Sequence, residues 1–178
     1  MAGSLEFIKS ATGSSVSSLS VTDCFSDNYD VYAVTIAKLE GLASSGNRLI
    51  NMRFIDGTGS IISSTQYDWA AQNLRSYSAF TDDKTVSDNA IERVQIYGSD
   101  NLAGGTVLYI YNPYSSSSYT FTAWQSGGLI EGPPRLYGLK GIGVHKSTQT
   151  ITGVAFVTNA DNVNLTVNVY GVKWWQVV

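Results

Sequence analysis

Charge, cysteine and histidine are all scarce in this chain. Charged residues fill only 14% of its 178 positions, against roughly 25% in an ordinary soluble domain, and Ser, Thr, Asn and Gly make up the difference. A polar but weakly charged surface fits a β protein whose outward strand positions carry Thr, Asn and Ser. It fits equally well a subunit that loses surface to its neighbours, because interface cores are depleted in charge. The net charge is −3, and the basic residues are scattered from Lys9 to Lys173 without forming a stripe, so nucleic acid is excluded as an expected partner. The single cysteine, Cys24, has no intrachain partner for a disulfide and reads as a small buried apolar group. No run approaches the ~18 apolar residues of a membrane span, and "MAGSLEFIKSATGSSVSS" lacks the basic and apolar regions of a secretory signal. The expectation is a protein made and kept in a cytosol, without a membrane partner.

The same shortages limit catalysis. One histidine and one cysteine cannot supply a zinc site, and no Ser or Asp motif accompanies His145, which reads as a surface or interface imidazole. The pairs Asp27 with Asp30, Asp82 with Asp83, and Asp88 with Glu92 are available as carboxylates. All lie in turn-like, Asn- and Ser-rich stretches where Asp caps loops. "DGTG" and "NADN" are too sparse in ligands for calcium. The "NLT" tripeptide at Asn164 falls inside an expected strand and reads as chance. We therefore expect no enzyme, no cofactor and no metal.

What the chain does have is alternation. In "VNLTVNVYGV", Val163, Leu165, Val167 and Val169 alternate with Asn164, Thr166, Asn168 and Tyr170, the pattern of a half-buried strand. With the preceding "ITGVAFV" and the turn-forming "TNADN" it reads as a hairpin. "DVYAVTIAKL" and "RLINMRFI" are further strands, as is "IERVQIYG". "TVLYIYNP", apolar on both faces, reads as a central strand that forms a hairpin with "SYTFTAWQS". Residues 67–80 are ambiguous between a short helical turn near Ala70 to Leu74 and a loop feeding an edge strand. Residues 125–143, rich in Gly and carrying Pro133 and Pro134, read as a long exposed connection. About eight to ten short strands and no convincing amphipathic helix predict an all-β, antiparallel two-sheet jelly-roll sandwich, its sheets about 10 Å apart. Residues 16–178 form its single domain, behind an amino-terminal arm over 1–15.

The aromatic residues Tyr109, Tyr111, Tyr114, Tyr119 and Trp124 offer either a platform for sugar rings or filling for the sandwich and its seams. The second reading is preferred, because several fall on opposite faces of one strand pair.

"LEFIKS", "DVYAVTI", "YIYNPYSSSSYTFTAW" and the terminal "ITGVAFV…LTVNVYGVK" resemble small β-rich virion proteins of tailed bacteriophages, especially phages of cyanobacteria. The resemblance implies a jelly roll of TNF or C1q type that forms a homotrimer on the exterior of a capsid or tail after assembly in the host cytoplasm. Its partners would be its own copies and the major capsid protein or another virion protein. The role implied first is capsid decoration or cement. The alternative is a tail fibre or appendage protein that binds the host surface or a host glycan. A short polar amino terminus without a coiled-coil shaft favours decoration. The contact groups expected are Phe7 and Ile8 in the arm, the loop from Leu129 to Tyr137, and the exposed member of Trp174 and Trp175.

Overall fold

The computed structural model describes residues 4–42, 48–97, 104–130 and 134–173. Their apolar alternation becomes twelve strands: β1 (Ser4–Val16), β2 (Ser18–Val21), β3 (Val31–Gly41), β4 (Arg48–Asp56), β5 (Tyr67–Arg75), β6 (Thr81–Asp88), β7 (Ile91–Tyr97), β8 (Gly104–Tyr111), β9 (Thr120–Ile130), β10 (Arg135–His145), β11 (Ile151–Thr158) and β12 (Val163–Lys173). No helix occurs among them, so none is long and apolar enough to cross a membrane. All pairing is antiparallel, in an eight-stranded sheet ordered β1-β12-β3-β8-β9-β10-β5-β6 and a four-stranded sheet ordered β2-β11-β4-β7.

The connectivity is that of a jelly roll. Set aside β5, β6, β9 and β10, and the remaining strands pair from the ends of the chain inward: β1 with β12, β2 with β11, β3 with β8, and β4 with β7. The ribbon is rolled so that β12 also pairs with β3 and β11 with β4. Two inserted hairpins, β5–β6 and β9–β10, then extend the first sheet beyond β8. They raise the strand count above the expected eight to ten and make that sheet twice as wide as its partner.

Burial follows the pleat. Along β12 the residues Val163, Leu165, Val167 and Val169 are buried, while Asn164, Thr166, Asn168 and Tyr170 are half-buried. The core between the sheets contains Tyr32, Phe54, Tyr67, Trp69, Trp124 and Phe156. A smaller cluster of Ile96, Ile130, Tyr137 and Leu139 closes the space under the inserted hairpins. Gln95 links the two layers: its amide donates to the Ile96 carbonyl at 2.6 Å, and its side-chain oxygen accepts from the Thr106 hydroxyl at 2.6 Å.

Several expectations change here. The runs at 151–157 and 163–172 do not form a hairpin, because β11 and β12 lie in different sheets and the turn between them crosses the sandwich. Residues 67–75 form strand β5, paired on both sides by β10 and β6, with no helical turn. The span 125–143 is no long loop. It holds most of β9 and β10, whose glycines allow close cross-strand packing. Residues 4–15, read as an arm, run along β12 within edge strand β1, which continues to Val16. His145, expected at a surface or interface, is 0% exposed and packs against the rings of Phe54 and Tyr67.

Candidate functional site

Cross-strand register determines what the outer face of the wide sheet presents, because residues paired across strands share a face. One row runs Tyr109, Ala123, Ile142, Ala70, Lys84 from β8 to β6. Beside it runs Val107, Gln125, Lys140, Gln72, Asp82. On the other side lie Tyr111, Phe121, Val144 and Asp68. The small residues Ala123 and Ala70 flank Ile142, and the face hollows into two adjoining grooves of about 890 and 760 Å³. The apolar side chains lie open to solvent: Val86 is 73% exposed, Ile142 64%, Phe121 47%, Val107 46% and Tyr109 42%. Single exposed apolar residues are ordinary, whereas a contiguous set marks an interaction surface.

Polar groups border this apolar strip. The Asp68 carboxylate takes a 2.8 Å contact from the Lys146 ammonium and a 2.8 Å hydrogen bond from the Ser87 amide, which hold its pKa below the usual carboxylate range. In the row through Gln125, Lys140 and Gln72, donors and acceptors stand at the inter-strand spacing of about 4.8 Å.

Of the five aromatic residues considered as a platform, Tyr109 and Tyr111 do share the outer face, joined there by Phe121. Trp124 points inward, 3% exposed, and its ring nitrogen donates to the Arg93 carbonyl at 3.0 Å. Tyr114 and Tyr119 lie within the β8–β9 connection, both exposed.

The expected contact residues are not brought together. Phe7, 58% exposed, pairs with Tyr170 on the outer face of the wide sheet, and its ring meets that of Tyr170 edge-on at 5.8 Å. Ile8 sits at a register shift and packs partly against the core. Leu129 is half-buried near the end of β9. Tyr137 is buried, which corrects its assignment as a contact: its hydroxyl donates to the Asn73 side-chain oxygen at 2.5 Å, and the Asn73 amide donates to Asp83 at 2.7 Å. That chain of bonds ties β10 to β5 and β6. The neighbouring Leu136 is 58% exposed. Trp174 and Trp175 lie outside the described residues.

The titratable groups serve the fold. Among the described residues, no three His, Cys, Asp or Glu side chains are grouped to hold a metal. Asp83 pairs with Arg93 at 3.4 Å, and Asp88 accepts from the Trp69 ring nitrogen at 3.0 Å. Burial pushes the Glu92 pKa up, and Asp88 adds to the effect. Cys24 is buried, and burial raises its thiol pKa to about 12, so it stays a neutral thiol.

The groove residues that sequence reasoning missed include Ile142, Gln72, Gln125, Lys140, Val107, Val86 and Phe121. Phe121 was within reach, because the β8–β9 hairpin places it opposite Tyr111. Compared with known proteins, the chain matches no family model and no curated protein.

Proposed function

We propose that the protein is a non-enzymatic structural component of a virus particle, a capsid decoration or cement protein that assembles as a homotrimer and works by adhesion. The observation that carries this reading is the contrast between the two open edges of the wide sheet. Edge strand β6 carries Asp82, Asp83, Lys84 and Asp88, the charged residues that discourage pairing with another chain. Edge strand β1 runs for 13 residues and leaves Leu5 and Phe7 59% and 58% exposed. A long edge with exposed apolar groups is a template for a neighbouring chain.

A threefold ring uses a heterologous contact, in which the β1 edge of one copy meets a different surface of the next. Three linked copies then present the same weak contact to a lattice point, and avidity exceeds any single bond. Jelly rolls build viral capsid domains and lectin domains alike, so the fold is compatible with the reading without selecting it. A second reading, a tail fibre or appendage protein that touches the host surface, draws on the groove across β8, β9, β10, β5 and β6.

Sedimentation velocity tests the first reading. Phe7 and Ile8 were the expected contacts, but Ile8 packs against the core, so the informative substitution pairs Phe7→Ser with Leu5→Ser. The wild-type protein is expected to sediment as a trimer, and the double variant as a monomer that keeps the far-ultraviolet circular dichroism of the wild type, with its thermal transition lowered by the loss of assembly. A wild-type monomer at high concentration, or a variant that assembles equally well, would overturn the assembly.

A further inference from the structure

We propose that the groove on the outer face of β8, β9, β10, β5 and β6 binds a neutral glycan strand laid across the strands. The inference deepens the second reading, host-surface contact, and is independent of assembly through β1. Its first support is shape. Two adjoining hollows of about 890 and 760 Å³ are a poor match for the same face of a second copy, because hollow set against hollow leaves a void where interfaces reach interior packing density. The occupant is therefore narrow and convex.

The second support is the chemistry of the rows. Tyr109, Ile142 and Phe121 give an apolar floor, while Gln125, Lys140 and Gln72 give a parallel line of polar groups. A side-chain amide both donates and accepts. A pyranose presents the matching pair of surfaces: an apolar face of C–H groups that lies on an aromatic ring, and an edge of hydroxyls that both donate and accept. From β8 to β6 the row makes four inter-strand steps of about 4.8 Å, roughly 19 Å in all, so several sugar rings can lie along it.

The third support is charge. Lys84 and Lys140 are interspersed with Asp82, Asp83 and Asp68, the last two paired with Arg93 and Lys146, in a chain of net charge −3. The groove therefore offers no single-sign field to concentrate a polyanion, and nucleic acid and sulfated polymers are disfavoured. An extended peptide is disfavoured too. Strand addition needs an open edge, and within the groove only β6 has one, where Asp82, Asp83, Lys84 and Asp88 discourage pairing; β8, β9, β10 and β5 are paired on both sides.

The test is affinity electrophoresis of the intact protein through gels containing a soluble β-1,4-glucan, a β-1,3-glucan or a mannan, with dextran sulfate as the anionic control. At least one neutral polymer is expected to retard the protein. Tyr109→Ala and Gln125→Ala, each at an outward position, are expected to weaken that retardation at least tenfold without changing the thermal transition. Leu5→Ser with Phe7→Ser is expected to leave binding by each subunit intact, which separates a failure of the groove from a failure of assembly. Retardation by dextran sulfate alone, by none of the neutral polymers, or equally in the wild type and both groove variants would overturn the proposal.

Discussion

Lowering the pH from 6.5 to 4 is expected to remove about 3 kcal/mol of folding stability through His145 alone, at about 1.4 kcal/mol for each unit of pKa shift. The imidazole is 0% exposed, with the Tyr67 ring centroid at 4.8 Å and that of Phe54 at 6.0 Å, and neither ring nitrogen has a hydrogen-bond partner. The Tyr67 hydroxyl is already committed, accepting from the Phe54 amide at 3.0 Å and donating to the Ile62 carbonyl at 3.1 Å. Burial therefore pushes the histidine pKa down from 6.5 to about 4.

The sign follows from which state takes up the proton first. The unfolded chain protonates His145 near pH 6.5, while the folded protein resists until about pH 4. Stability is complete above the unfolded value and is lost progressively as pH falls through that window. Replacing the ring by an apolar group of similar size removes two unpaired nitrogens from the core, so His145→Leu is expected to match or exceed the wild type at pH 7. Urea unfolding of both proteins at pH 7, 5.5 and 4 isolates the effect from the carboxylates, which are common to the two. The gap between their unfolding free energies is expected to widen by about 3 kcal/mol in favour of the variant as pH falls. Parallel curves would show that the imidazole is not buried as described.

A second large effect is expected where the floor of the groove rests on the core. Trp124 and Gly141 are paired across β9 and β10, and a Cβ on Gly141 would fall 2.2 Å from the Trp124 ring. The indole occupies the space a side chain at 141 would need. Trp124→Ala is expected to cost about 3–5 kcal/mol through the cavity it leaves. Gly141→Ala is expected to cost about 1–3 kcal/mol through overpacking against a ring that is 3% exposed. In the double variant the clash is gone and the new methyl fills part of the cavity. The combined loss should fall below the sum of the single losses by about 1–3 kcal/mol. Unfolding free energies of the four proteins of this cycle give that coupling directly. Additivity would mean that the two positions do not share the space.

The readable part of the fold was the part governed by local alternation. The faces of β4 and β12 follow from the period of their apolar residues, and the β8–β9 hairpin from its Asn-Pro turn and serine run. Strand β8, read as apolar on both faces, is central in its sheet, but of its large apolar residues it buries only Leu108 and Ile110. It leaves Val107 and Tyr109 open to solvent, because among the described residues no second layer covers the outer face. Alternation indicates which face is buried but not which strand lies alongside. A jelly roll pairs strands from opposite ends of the chain, so β1 meets β12 across some 150 residues of sequence. That is why β11 and β12, adjacent in sequence, were read as partners. Glycine hid the end of β9 and most of β10, because a run that includes Gly128, Gly138, Gly141 and Gly143 looks like a connection until the close contacts that need those glycines are known. Tyr137 was misplaced for the same reason, since it lies on β10.

The candidate groove was legible only in its aromatic third. Tyr109, Tyr111 and Phe121 share a face by the register of one hairpin. Ile142, Lys140, Gln72 and Asp82 join them only once the two inserted hairpins are docked side by side.

Amide hydrogen exchange along β1, compared between dilute and concentrated protein, tests the central claim most directly. The amides of Ser4 to Thr12 that point away from β12 are expected to exchange freely in the dilute protein and to become protected as the copies assemble. Assembly that protects other strands while those amides continue to exchange freely would contradict adhesion through this edge.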